Sequence, residues 1–78
     1  MIEKKKRLIV TFHTTAEAMA VEKACAGAQI EGRLFPTPRV LSADCGIAWC
    51  GSLETRSALE TLLSDKGIAF EGMHELEV

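Results

Sequence analysis

The sequence predicts an α+β domain with its elements in the order β-α-β-β-α-β. Four short runs rich in strand formers recur along the chain, at Arg7 to Phe12, Arg33 to Phe35, Gly46 to Cys50 and Ile68 to Val78. Two stretches with helical spacing separate the first strand from the second and the third from the fourth. Each helical stretch also carries its own start and stop signals.

Taken in order, Leu8, Val10 and Phe12 alternate onto one face of the first strand. Thr14-Thr15-Ala16-Glu17 then fits a capping box, in which the Thr14 hydroxyl accepts from the first turn and Glu17 reaches back. Ala18, Val21, Cys25 and Ala28 follow as a stripe of small residues, so this helix can approach its sheet closely. Gly27 and Gly32 punctuate its end. Pro36 stops the second strand, and Pro38 forces Thr37 out of helical geometry, which makes Thr37 to Asp44 a loop. Ser52 reads as the cap of the second helix, with Glu54 in its first turn and Ala58, Leu59, Leu62 and Leu63 on its apolar face. Lys66-Gly67 is its stop. In the last strand Ile68, Phe70, His74, Leu76 and Val78 are expected on the inward face, opposite Glu71, Met73, Glu75 and Glu77.

This order is that of a ferredoxin-like two-layer sandwich. Right-handed crossovers give an antiparallel sheet in strand order 4-1-3-2 with both helices on one face. The turn at His13-Thr14-Thr15 and the loop from Pro36 to Cys45 then fall at one end of the molecule, and Cys50 and Cys25 lie away from it.

Composition narrows the function. The 78 residues suit a single domain, residues 1–78, with 1–6 a loose basic lead-in. With 47% hydrophobic and 26% charged residues, the balance is that of a globular domain. A net charge of −2 argues against nucleic-acid binding. No apolar run approaches the ~18–20 residues that span a bilayer. Leu8-Ile9-Val10 after the basic start is too short for a signal-peptide core, so a cytoplasmic location is expected.

Three cysteines do not form a disulfide framework. With the segment between them extended, Cys45 and Cys50 would sit about 16 Å apart, too far for a disulfide or for one shared zinc ion. No metal-ligand spacing is present, and no metal or cofactor is expected. Cys25 reads as a small buried hydrophobe. Cys45 is the thiol that shares an end with a helix N-terminus and with cations, Arg39 in its loop and His13 on the adjoining turn, and both favour a thiolate. Gly46 leaves room beside the sulfur, whereas Asp44 disfavours the thiolate. The bland reading of Cys45 is a small residue where the loop enters the sheet. Arg39 either binds an anion or pairs with Asp44. His13 reads as a turn residue rather than a general base, and His74 as a satisfied, partly buried histidine. Trp49 reads as packed on the sheet; on the open face it would mark a dimer interface.

The run Pro36-Thr37-Pro38-Arg39-Val40-Leu41-Ser42-Ala43-Asp44-Cys45-Gly46 resembles the core P-x-P-R-x-(I/L)-S-x-x-C-G of a family of small bacterial proteins labelled putative selenium/sulfur carrier-like. Thr11-Phe12-His13-Thr14-Thr15 matches that family's opening, and the resemblance runs from about Arg7 to Phe70. It implies a cysteine that accepts sulfur or selenium as a persulfide or perselenide and hands it on. Cys45 is that cysteine, Arg39, Ser42 and Gly46 form the loop around it, and His13, Thr14 and Thr15 lie at the same end. A carrier of this kind works with a protein donor and acceptor, such as a cysteine desulfurase, and turns nothing over alone. A homodimer would form through the open sheet face. Ala28-Gln29 stands where a glycine is expected to end the first helix. The alternative function is a regulatory or anion-binding module that uses the same end, with Cys45 a bystander.

Overall fold

The computed structural model describes residues 6–41 and 46–77. Within them lie β1 (Lys6–Thr11), α1 (Thr15–Gly27), β2 (Gly32–Pro36), β3 (Ile47–Ser52), a 3-10 turn (Leu53–Thr55), α2 (Arg56–Lys66) and β4 (Gly72–Glu77). All strand pairs are antiparallel and the order is β2-β3-β1-β4, the expected 4-1-3-2 read from the other edge. No helix among the described residues is long and apolar enough to cross a membrane.

The register sorts the side chains. Val10 stands opposite both Trp49 and Met73, and Ile9 opposite both Cys50 and His74. The Val10 face, with Leu8, Phe12 and Trp49, joins Ala18, Val21 and Cys25 of α1 and Leu59 and Leu63 of α2 in one core. Both helices therefore cover the same face of the sheet. Full burial of each large apolar side chain in this layer contributes roughly 1.5–3 kcal/mol. Trp49, fully buried here, lies beneath the helical layer and not on the open face, so it marks no dimer interface.

Local chemistry explains the boundaries. The Thr14 hydroxyl accepts the Glu17 N–H at 3.2 Å, as a capping residue should. The Glu17 carboxylate reaches one residue further back than a capping box requires, to the His13 N–H at 2.7 Å. At the other end, Ile30 N–H bonds Cys25 O (2.9 Å) and Gln29 N–H bonds Ala26 O (3.3 Å), the two bonds of a Schellman motif. Gln29 takes the left-handed position, φ 59°, where a glycine was expected, and Ala28, counted in the apolar stripe, is exposed. Gly67, φ 64°, ends α2 in the same way, through bonds to Ser64 O and Leu63 O.

Element boundaries differ from the sequence reading: Lys6, expected in the loose lead-in, opens β1, β2 extends by one residue at each end, and the larger changes fall in β3, α2 and β4. β3 starts at Ile47 and runs past Cys50 to Ser52, because Gly51 keeps its place in both ladders, opposite Leu8 and Gly32. Ser52 caps the 3-10 turn, accepting the Glu54 N–H at 3.2 Å, and α2 begins only at Arg56 with Ala58 exposed. β4 begins at Gly72, opposite Thr11; Ile68 and Phe70 pack on the core from the connection that precedes it. The predicted faces are reversed, because they were phased on Ile68 and Phe70, which lie outside the ladder, whereas the register sets Met73 opposite Val10. Met73 and Glu75 face the helices, Glu75 pairing with Arg56 of α2, while His74 and Leu76 lie on the open face.

Candidate functional site

The C-terminal end of β1, the C-terminal end of β2 and the N-terminal end of β3 meet at one end of the sheet, since all three pair antiparallel to their neighbours. α1 starts from that end too. The loop between β2 and β3 is closed just beyond the Pro36–Ile47 rung by Thr37 N–H donating to Gly46 O at 2.9 Å. Inside it, Leu41 N–H bonds Pro38 O at 3.0 Å, a turn whose central residues are Arg39 and Val40. Both are exposed, Val40 at 78%. Arg39 forms no ion pair with a described residue. Ser42, Asp44 and Cys45 lie outside the described residues, so the expectations placed on them meet no structural test. In the chain, Cys45 directly precedes Gly46. A Cβ added at Gly46 would meet none of the described residues within 4 Å, so no packing contact with them demands a glycine there.

On the adjoining turn, His13 and Thr14 already have structural work. The His13 ring lies 3.2 Å from Glu17 through Nδ1, in addition to the backbone bond, and its side chain is half exposed. Hydrogen bonding from the His13 N–H, against some desolvation, holds the Glu17 carboxyl below its ordinary value. That carboxylate sits in the first turn of α1 and offsets the positive end of the helix. Thr15 opens the helix. The structure thus brings His13, Thr14, Thr15, Arg39 and Gly46 to one end, with Arg39 the cation there that no described carboxylate engages.

The other two thiols lie elsewhere, as expected. Cys25 is buried in the core and Cys50 is half-buried on the open face in mid-strand; both are free. Burial pushes both thiols up, an effect that Arg7 and Arg33 partly offset at Cys50.

The sequence reading did not find a polar cluster beside the site, on the open face. Thr11 is fully buried, and its hydroxyl bonds the Glu71 carboxylate, with Gly72 O and His74 Nε2 each at 3.3 Å. The signal was available, since alternation sets Thr11 opposite in direction to Phe12. The reversed phase of β4 hid its partner. Among the described residues no group of three or more His, Cys, Asp or Glu side chains is placed to hold a metal ion.

No curated protein and no solved structure matches the chain. The family model described as "Putative Se/S carrier protein-like" matches residues 7–75, nearly the whole chain, and the chain belongs to that family.

Proposed function

We propose that this protein is a sulfur or selenium carrier that takes its cargo on Cys45. The observation that carries the reading is the family match over residues 7–75, which includes the Pro36-to-Gly46 core with its single cysteine. The loop closed by Thr37 and Gly46 at the sheet end supports it, as does the exposed Arg39, which no described carboxylate neutralises. Such a carrier acts between partner proteins.

In the transfer, the Cys45 thiolate attacks the outer sulfur of a donor's persulfide. A new S–S bond forms at Cys45, the donor's S–S bond breaks, and the donor leaves as its thiolate. A nucleophile on the acceptor later takes the outer sulfur and returns Cys45 as a thiolate. Arg39 lowers the cost of the anion at both stages, while Ser42 supplies a hydrogen bond. Because Glu17 offsets the start of α1, the guanidinium is the principal positive charge in this scheme.

The test is transfer of labelled sulfur from a persulfide-loaded cysteine desulfurase, with alkylation of each cysteine followed against pH at peptide level. Cys45→Ser should abolish acceptance. Cys45 should be half-alkylated well below the ~8.5 of a free thiol, with Cys50 slower and Cys25 protected. Undiminished label on Cys45→Ser would overturn the reading and leave the end of the sheet as an anion-binding surface.

A further inference from the structure

The open face of the sheet carries a second arrangement, remote from the β2–β3 loop. Cys50 stands in the middle of β3, directly opposite Arg33 on β2, and Arg7 on β1 stands opposite Ser52, two residues along. These side chains line an open groove of about 700 Å³, together with Glu31 and Phe35. Neither guanidinium forms an ion pair with a described residue, and both are close enough to Cys50 to favour its thiolate. Unpaired guanidiniums are planar donors suited to carboxylates and other oxyanions. Phe35, half-buried two rungs along on the same face, offers an apolar wall.

We infer that this groove captures small anionic disulfides and delivers them to Cys50, which becomes a mixed disulfide. The Cys50 proton goes to solvent, its thiolate attacks one sulfur of the bound disulfide, and that S–S bond breaks. One half stays joined to Cys50, which is oxidised; the other leaves as a thiolate, which is reduced. The anionic substituents hold the ligand between Arg7 and Arg33, and this raises its local concentration over a thiol that burial keeps largely protonated. Glu31, at the edge of the groove, opposes the anion. The inference does not rest on the carrier reading, since neither Cys45 nor Arg39 takes part.

The experiment compares two disulfides of opposite charge, the dianionic 5,5′-dithiobis(2-nitrobenzoate) and the dicationic cystamine, with modification of the Cys50 peptide read by mass spectrometry. The anion-to-cation rate ratio in the native protein is set against the same ratio for the chain unfolded in urea. The native ratio should exceed the unfolded one by roughly tenfold at low salt, a modest case of electrostatic steering. Arg7→Gln with Arg33→Gln should bring it to within about twofold of the unfolded ratio, and added salt should do the same to the wild type. Glu31→Gln should raise it. A native ratio no larger than the unfolded one, or a preference indifferent to the wild type's salt, overturns the inference even if the arginine variants fail to fold.

Discussion

Gly46 separates structure from chemistry at the scale of one residue. Its φ is not left-handed, and among the described residues a Cβ would meet nothing within 4 Å, so neither backbone strain nor packing against them asks for a glycine there. In the carrier function proposed above, the glycine leaves a donor protein room to approach the sulfur of the neighbouring Cys45. Gly46→Ala should therefore keep its melting temperature, changing stability by less than about 0.5 kcal/mol, while sulfur acceptance by Cys45 slows. A variant that accepts sulfur at the wild-type rate would show that the glycine gives no access. Gln29 is the opposite case. It holds φ 59° at the end of α1, a conformation that costs a side-chain-bearing residue and not glycine. Gln29→Gly should stabilise the protein by about 0.5–1 kcal/mol in urea unfolding, and a loss of stability would mean that the Gln29 side chain contributes more than its backbone costs.

Among the elements, α1 has a start built from an ionisable contact. The Glu17 carboxyl titrates below its ordinary value of 4.5, chiefly because the His13 N–H donates to it. A depressed carboxyl contributes stability that is complete above the unfolded value and is lost as pH falls through the folded one. The stability difference between wild type and Glu17→Gln should therefore be level near neutrality and narrow below about pH 4.5. A difference that stays constant down to pH 3 would place the effect in something other than this charge. The same element shows what a sequence makes legible. Thr14 and Glu17 announce the start of α1, because a cap is decided by residues three apart. Its end was obscured because Gln29 pays in backbone strain for a position where glycine is expected. β4 misled more seriously. Phe70 is apolar and packs on the core, so it reads as a strand residue, but it precedes the ladder, and one step of phase put His74 on the wrong face. The candidate site was legible in its location, since strand direction alone sends His13 and Arg39 to one end. The engagement of His13 with Glu17 depends on rotamers that spacing does not encode.

For the whole molecule, Trp49 ties the sheet to its helical cover. A chain of 78 residues buries only about 60–65% of its unfolded surface, so one fully buried indole carries a large part of a thin core. The ring lies over the paired glycines Gly32 and Gly51: a Cβ at Gly32 would fall 2.0 Å from it and one at Gly51 2.2 Å. Neither glycine has a left-handed φ, so the requirement is for space above the β2–β3 ladder and not for backbone freedom. At Gly51 the ladder itself is also tight, with Glu31 O 3.1 Å from the added carbon. Gly32→Ala meets the ring alone among its three nearest atoms, and it is the cleaner probe. It should cost about 1–3 kcal/mol as overpacking, a serious loss for a fold whose total stability is of the order of 5–15 kcal/mol. Trp49→Leu should cost several kcal/mol, as large-to-small core substitutions do. In the Trp49→Leu background, however, Gly32→Ala should cost much less, because the atoms it would strike are gone. The double-mutant cycle should therefore show a coupling of about 1–3 kcal/mol. Additive costs would mean that Gly32 answers to the backbone of the β2–β3 ladder instead, and that Trp49 does not set the spacing between the sheet and its helices.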